Sequence, residues 1–220
     1  MTFDWGFVYS LLPKFGAALG VTVQATLAGM VLALILGLIW AIARRSKNRA
    51  LAIAVGFLVE FIRSTPLLVQ LYFLFYVLPL WGPSLTPLET GILALGLHYS
   101  AYTAEVYRAG INGVPRAQWE AALALNLGRT VTWKSVILPQ AVVPILPALG
   151  NYLVALFKET PLLSAITLLE LLHTAKLIGA DTFRYLEPLT LVGVFFLALS
   201  LIASTLIRKL ENACDRFRQG

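Results

Sequence analysis

The sequence is poor in charge, in cysteine and in histidine, and each shortage excludes a class of function. Charged residues make up 13% of the chain, whereas they account for about 25% of an ordinary soluble domain. The only cysteine is Cys214, so no disulfide can form within the chain. The two histidines, His98 and His173, are isolated from each other and belong to no H-E-x-x-H pattern. The sequence therefore offers neither a cysteine pair nor an H-E-x-x-H pattern to bind a metal.

The chain also lacks the loop G-x-x-x-x-G-K-[ST] that cradles nucleotide phosphates. Neither histidine has a serine and a carboxylate at the spacing of a known catalytic arrangement. We therefore expect no bound cofactor and no catalytic centre. Both histidines are expected to pack within a helical bundle, although His98, in the segment LHYSAYTAE, would face its interior and is kept as a candidate site residue.

What the chain does contain is apolar sequence in long runs. Hydrophobic residues make up 59% of it and the mean hydropathy is +0.80. Since a membrane span needs about 20 apolar residues, the sequence predicts a single all-α integral membrane domain over residues 1–220, with five transmembrane helices. The approximate bounds of these spans are 15–43, 50–80, 86–109, 135–158 and 188–208, with a loop at 110–134 and a further segment at 159–187.

The basic residues predict how these spans are oriented. With five spans, twelve of them fall on one side and four on the other, and the richer side is cytoplasmic. The twelve are Arg44, Arg45, Lys47, Arg49, Arg108, Arg116, Arg129, Lys134, Arg208, Lys209, Arg216 and Arg218; the four are Lys14, Lys158, Lys176 and Arg184. The N-terminus would be external and the C-terminus cytoplasmic. The net charge of +6 is therefore read as an orientation signal and not as a sign of nucleic-acid binding.

The 110–134 loop has the pattern of two short helices joined by a sharp turn. Pro115 can open the first helix, and Trp119, Ala122 and Leu123 fall on one face of it at helical spacing. Asn126 and Gly128 are residue types that tolerate left-handed backbone and end helices. Thr130 can cap a second helix that runs to Pro139. The sequence thus predicts an exposed helix–turn–helix on the cytoplasmic side.

The stretch EAALALNLGRTVTWKSVILP, residues 120–139, closely resembles the EAA loop of ABC-importer permeases. Glu120, Ala121, Ala122, Leu138 and Pro139 match the pattern, while Asn126 stands where the family usually has glycine. Three further blocks resemble the polar amino acid branch of these permeases, including the histidine, glutamine and arginine permeases and the similar ectoine-type permeases. These blocks are FIRSTPLLVQLYF (61–73), YTAEVYRAGINGVPRAQWEAA (102–122) and LFKETPLLSAI (156–166).

This resemblance implies a type I importer fold in the cytoplasmic (inner) membrane and a set of partners. ATP-binding subunits would hold the ATP and magnesium and receive the EAA loop. A second permease copy or paralogue would complete the pathway, and an extracytoplasmic solute-binding protein would deliver the solute. The residues expected to couple to the ATPase are Trp119, Glu120, Ala121, Ala122, Leu123, Asn126, Gly128 and Pro139. The solute would be a polar or basic amino acid, an opine, or a zwitterionic compatible solute such as ectoine.

Polar residues within the spans are candidates for the solute pathway, because charge at membrane depth is costly. Pro66 can break the second span and expose backbone to a cavity, and Lys158 and Glu159 offer one cation and one anion. The candidate pathway residues are Arg63, Thr65, His98, Glu105, Lys158, Glu159, Thr160 and Ser164. Local neutralisation of the pairs Glu60–Arg63 and Glu105–Arg108, and an interfacial Lys158, are the structural alternatives.

One structural alternative remains open at this point, and two rival functions have to be weighed. The 162–178 stretch forms either an external surface helix or a re-entrant one. A stand-alone channel or secondary carrier would explain charges within the membrane, but it gives no reason for the exposed helix–turn–helix. A membrane enzyme would need clustered acids, histidines or metal ligands on one face, and the sequence shows none.

Overall fold

The computed structural model of this protein describes the backbone of residues 3–219 and the side chains of residues 3–210. That part of the chain contains no β-strand, which confirms the all-α prediction. The helices are α1 (Trp5–Ala43), α2 (Arg49–Ser64), α3 (Leu67–Trp81), α4 (Pro87–Asn112), α5 (Arg116–Ala124), α6 (Arg129–Ile166), α7 (Leu171–Thr182) and α8 (Leu186–Gln219). The side chains of Cys214, Arg216 and Arg218 lie outside the described residues.

Helices α1 and α4 make the most extensive helix–helix contact of the bundle. They can approach closely because glycines occupy the crossing: a Cβ on Gly96 would lie 2.5 Å from the Leu32 side chain. Because the two helices are this close, the hydroxyl of Thr103 on α4 donates a hydrogen bond to the carbonyl oxygen of Ala33 on α1, 2.8 Å away. Small residues at helix crossings are typical of membrane bundles, in which packing drives association.

Helices α2 and α3 lie at 103° to each other, so the span predicted over 50–80 is sharply bent. Pro66 is the N-cap of α3 and has no N–H with which to continue α2. The carbonyls freed by the break find side-chain partners: Thr65 Oγ1 donates to Phe61 O at 3.1 Å and Gln70 Nε2 donates to Ile62 O at 2.8 Å. The break that the sequence predicted at Pro66 is confirmed.

Helix α6 is continuous from Arg129 to Ile166 and is longer than the span predicted at 135–158. It accommodates its prolines by local changes in hydrogen-bond spacing. The backbone is π-helical over Thr132–Ile137, just before Pro139, and 3₁₀-helical over Val143–Ile145. Such adjustments restore partners to backbone groups that a proline would leave free. A further 3₁₀ stretch, Thr160–Ile166, ends the helix.

The helix expected between 162 and 178 begins only at Leu171, as α7. Glu170, completely buried, caps it: the carboxylate accepts hydrogen bonds from the N–H groups of Leu172 at 2.8 Å and His173 at 2.7 Å. Ala175 and Ile178 of α7 belong to an apolar cluster that also contains residues of α1 and α8. The helix is therefore part of the bundle, because its apolar face packs on two long helices.

Ion pairs mark the two ends of the bundle. At one end Arg184 pairs with Asp4, at 3.4 Å, and with Glu187, which ties the start of α1 to the start of α8. At the other end Arg44 of α1 pairs with Glu105 of α4, which also pairs with Arg108 at 2.6 Å. The predicted Glu105–Arg108 pair is confirmed, and Arg44 joins it.

Three helical stretches are long and apolar enough to cross a membrane: α1, α6 and the Leu186–Leu210 part of α8. The bent pair α2–α3 makes a fourth if it counts as one span. Helix α4 has 26 residues, about 39 Å at 1.5 Å per residue, but its polar residues make it less apolar. Five spans therefore stays a prediction, in which α4 would be the central one.

Candidate functional site

The turn after α5 has the geometry that its sequence predicted. Asn126 has φ 51°, in the left-handed region, and connects α5 to the start of α6. This conformation is confirmed, and it suits asparagine better than most residues with a Cβ. Gly128 has φ −59° and is the N-cap of α6, so of the two residue types that tolerate left-handed backbone here only Asn126 adopts it. Thr130 lies inside α6 and Pro115 is the N-cap of α5, each one position or more from its predicted place.

Helix α5 has an inward and an outward side, and the three residues predicted to share a face lie across the boundary between them. Ala122 is 3% exposed and Trp119 is partly buried, whereas Leu123 is 80% exposed. The prediction that Trp119, Ala122 and Leu123 lie on one helical face agrees with α5, since these three positions span about 100° around the helix axis, but Ala122 is on its inward edge and Leu123 on its outward edge. Glu120 and Ala121 are exposed beside Leu123. The surface that a partner can reach is formed by these outward residues.

The inward face of α5 is held by an aromatic contact. The rings of Trp119 and Trp133 meet edge to face with their centroids 5.3 Å apart. The guanidinium of Arg45, at the end of α1, lies 5.7 Å from the centroid of the Trp133 ring and donates a hydrogen bond to Asn112 of α4 at 2.9 Å. One tryptophan thus joins α5 and α6 to the ends of α1 and α4. We call Trp119, Trp133, Arg45 and Asn112 the Trp133 joint.

A group of rings lies between α4 and α6, at the middle of both helices. His98, Tyr99 and Tyr102 on α4 contact one another, and Tyr152 on α6 lies 5.8 Å from the ring centroids of both tyrosines. We call these four residues the tyrosine cluster. Its hydroxyl and imidazole groups are polar groups at membrane depth, where they tend to mark solute pathways.

One cation from a further helix, α2, and one carboxyl from α6 itself reach this cluster. The guanidinium of Arg63, at the end of α2, lies 5.4 Å from the centroid of the Tyr102 ring. The carboxyl of Glu159, on α6, lies beside Tyr99, and its Oε2 is buried without a hydrogen-bond partner among the described residues. An unpaired buried carboxylate oxygen is unfavourable unless a ligand, a proton or water satisfies it.

The side chain of Gln70 connects the α2–α3 break to the cluster. Its Nε2 donates toward Ile62 O, Thr65 O and Thr65 Oγ1 at 2.8, 3.2 and 2.6 Å. Its Oε1 lies 3.2 Å from Nδ1 of His98. Thr65 and His98, both predicted pathway residues, thus belong to one hydrogen-bond network.

Four other predicted pathway residues lie away from the cluster. Glu105 is two turns beyond His98 on α4 and is paired with two arginines. Lys158 is exposed and has no ion pair among the described residues. Thr160 is completely buried and its hydroxyl donates to Phe157 O, while Ser164 Oγ accepts a hydrogen bond from Lys176 Nζ at 3.3 Å.

The sequence prediction missed Gln70, Tyr99, Tyr102 and Tyr152. A signal for two of them was present, since Tyr99 and Tyr102 are spaced i, i+3 and therefore lie on one helix face. Nothing local in the sequence indicates that Tyr152, about fifty residues further on, meets them.

Residues 33–215 match the family described as the inner membrane component of binding-protein-dependent transport systems. The chain belongs to this family of ABC-importer permeases. It is 48% identical over 205 residues to a probable amino-acid ABC transporter permease protein of Sinorhizobium fredii (strain NBRC 101917 / NGR234), covering 93% of this chain and 89% of the relative. It is 35% identical over 208 residues to the L-cystine transport system permease protein TcyB of Bacillus subtilis (strain 168), covering 92% and 89%.

Solved structures agree with this family. The structure titled as an amino acid ABC transporter with histidines matches with a TM-score of 0.91 at 33% identity, over 97% of this permease and 100% of that chain. An inward-facing MetNI methionine ABC transporter matches with a TM-score of 0.75 over 96% and 99% of the two chains, and at 18% identity it shows the fold alone. The permease therefore has the type I importer fold and is the transport subunit of an amino-acid ABC importer, not an enzyme. A stand-alone channel or carrier is not favoured.

Proposed function

We propose that this permease carries a polar amino acid, or a zwitterionic solute derived from one such as ectoine, through a pathway that passes the tyrosine cluster. The observation that carries the proposal is the convergence of Arg63 and Glu159 on that cluster. A zwitterion has a carboxylate and an ammonium group. Arg63 offers the first a guanidinium, whose pair with the exposed Glu60, at 3.6 Å, occupies only part of its donors. The unpaired Oε2 of Glu159 offers the second an acceptor.

The cation at the cluster is Arg63 in this proposal, and Lys158 has a secondary place. The Lys158 side chain is exposed, so it would meet solute before or after the cluster. Tyr99, Tyr102 and Tyr152 supply hydroxyl groups and ring faces between the two charges. A charge-assisted hydrogen bond contributes about 1.5–3 kcal/mol, so removing one partner should slow uptake at least about tenfold.

Work would come from ATP-binding subunits, which hold ATP and magnesium and dock on the outward face of α5. Glu120 and Leu123 offer them a carboxylate beside an exposed apolar side chain. A second permease copy or paralogue would complete the pathway, and a solute-binding protein would deliver solute at the external side. In this arrangement the N-terminus is external, and the end that carries α5 is cytoplasmic in the inner membrane.

The test is solute uptake by the importer reconstituted in liposomes with its ATP-binding subunit and solute-binding protein. Glu159→Gln and Arg63→Met should each lower uptake at least about tenfold without reducing co-purification of the ATP-binding subunit. Asp181→Asn is the matched control, because that carboxyl is exposed on α7, outside the tyrosine cluster, and the variant should transport like wild type. Lys158→Met measures the secondary contribution.

Two results would contradict the proposal. Wild-type uptake kinetics in both Glu159→Gln and Arg63→Met would remove the tyrosine cluster from the pathway. Solute uptake by the permease alone, without the ATP-binding subunit, would favour a stand-alone channel or carrier.

A further inference from the structure

Gln70 has its orientation fixed by what surrounds its amide nitrogen. Two carbonyl oxygens, of Ile62 and Thr65, and the hydroxyl oxygen of Thr65 lie 2.6 to 3.2 Å from Nε2. The Thr65 hydroxyl donates its own proton to the carbonyls of Phe61 and Ile62. It therefore acts as an acceptor for the Gln70 amide. A flipped amide would place an oxygen against three acceptors, which excludes that orientation.

The orientation of Gln70 then fixes the proton on His98. With Nε2 facing the α2–α3 break, Oε1 faces Nδ1 of His98 at 3.2 Å. An amide oxygen can only accept, so Nδ1 must carry a proton. In the neutral imidazole the other nitrogen, Nε2, is then an acceptor.

Nε2 of His98 has a lone pair that no described residue occupies. The buried polar side-chain atom that lacks a partner among the described residues is Glu159 Oε2. His98 Nε2 has no hydrogen-bond partner there either, and although His98 as a whole is buried, with 8% of its surface exposed, this nitrogen is not among the fully enclosed polar atoms without a partner. The ring that carries it lies 5.6 Å from Tyr99 and 5.3 Å from Tyr102, centroid to centroid, within the tyrosine cluster.

We infer that Gln70 is a positioning residue that holds His98 as its Nδ1–H tautomer, so that Nε2 accepts a hydrogen bond from the ammonium group of the transported solute. This inference rests on the proposed function and adds one acceptor to Glu159 at the amine end. The same Gln70 amide that orients His98 also donates hydrogen bonds to Ile62 and Thr65 at the α2–α3 break. Solute recognition would therefore depend on the local structure of that break.

The tautomer can be measured directly, since the chain contains only two histidines. The importer is reconstituted with ¹⁵N-histidine-labelled permease, and His173→Gln assigns the remaining signals to His98. At a pH where the ring is neutral, we expect a protonated Nδ1 and an unprotonated Nε2. In Gln70→Leu this preference should be lost. A protonated Nε2 in the wild type, or an unchanged tautomer in Gln70→Leu, would overturn the inference.

Uptake separates the tautomer from a purely structural role of Gln70. Gln70→Leu and His98→Asn should each lower kcat/KM for an amino acid about three- to tenfold, the loss expected for one hydrogen bond. Asparagine can still donate to Gln70 but has no acceptor at the Nε2 position; His98→Gln, which can place an oxygen there, should retain more uptake. The matched control is Gln24→Leu on α1, an exposed glutamine without a side-chain hydrogen bond among the described residues, and it should transport like wild type.

The outcomes distinguish this inference from the proposed function. If His98→Asn transports like wild type while Gln70→Leu does not, Gln70 acts only through the α2–α3 break and the inference is wrong. If Glu159→Gln and Arg63→Met are both silent, the proposed pathway fails, while the ¹⁵N measurement still decides whether Gln70 sets the tautomer. Co-purification of the ATP-binding subunit confirms assembly of each variant.

Discussion

Gly37 of α1 and Thr103 of α4 lie so close that a Cβ on Gly37 would be 1.9 Å from the Thr103 hydroxyl oxygen. The same hydroxyl donates to Ala33 O, one helical turn before Gly37. The hydrogen bond between the two central helices therefore depends on a glycine at position 37.

Replacing Gly37 with alanine should destabilise the permease. The added methyl must displace Thr103 or separate the helices, and overpacking of this kind costs about 1–3 kcal/mol. For a chain of this size that corresponds to a fall of several degrees in the unfolding temperature, measured in detergent. Gly20→Ala on the same helix is the control, since nothing lies within 4 Å of its Cβ position. Equal unfolding temperatures for the two variants would contradict the close-packing argument.

The left-handed backbone at Asn126 predicts how coupling responds to substitution. Asn126→Val places a β-branched residue at φ 51°, which costs on the order of 1–3 kcal/mol. The turn should loosen and displace α5, so solute-stimulated ATPase activity of the reconstituted complex should fall while membrane insertion is kept. Asn126→Gly removes the Cβ and should couple like wild type. Normal activity in Asn126→Val would show that this turn does not transmit the ATPase motion.

The two faces of α5 predict two different phenotypes. Leu123→Ser changes a side chain that is 80% exposed, so it should weaken co-purification of the ATP-binding subunit without changing the unfolding temperature. Trp133→Ala removes the ring that packs on Trp119 and should lower the unfolding temperature. Full recovery of the ATP-binding subunit with Leu123→Ser would show that the docking surface lies elsewhere.

Burial predicts a pH dependence at Glu170. Removal from water raises the pKa of this carboxyl to about 7, from the ordinary value of 4.5, despite the N–H groups of Leu172 and His173 and the nearby Lys176, which all act in the opposite direction. Because the folded protein favours the protonated form, Glu170 contributes its full stabilisation below pH 4.5. That contribution is lost as pH rises through 7.

The measurement is the unfolding temperature in detergent from pH 4 to pH 8. It should decline across this range by the equivalent of at most about 3 kcal/mol, and Glu170→Gln should flatten the decline. Asp181→Asn, an exposed carboxyl on the same helix, is the control and should leave the slope in place. A slope that persists in Glu170→Gln would assign the pH dependence to another group.

The sequence correctly predicted the features that depend on the backbone preferences of single residues. Pro66 cannot continue a helix, so the break between α2 and α3 was predictable, and Asn126 was correctly placed in a left-handed turn. The start of α7 was missed because Glu170 reads as a surface acid, yet the fold buries it as a cap. Periodicity grouped Trp119, Ala122 and Leu123, but it could not show that Trp119 packs on Trp133 and that Leu123 stays exposed.

The candidate pathway was only partly predictable, since it depends on contacts between distant helices. The sequence marked Arg63, His98 and Glu159 as polar residues within spans, and the structure brings them to one cluster. Lys158 was chosen with Glu159 because they are adjacent, but adjacent residues on a helix point in different directions. Tyr152 and Gln70 could not be predicted as pathway residues, because they meet the cluster only through the packing of α6 and of the α2–α3 break against α4.

The Trp133 joint has a consequence for how force enters the membrane domain. Trp133 belongs to α6, contacts Trp119 of α5, and lies under Arg45 at the end of α1, which is bonded in turn to Asn112 at the end of α4. If an ATP-binding subunit docks on α5, as proposed, its motion would be transmitted through this joint to three long helices, α1, α4 and α6. The membrane domain would then rotate as a rigid body against the second permease copy or paralogue. A solute held between α4 and α6 would be released by this rotation.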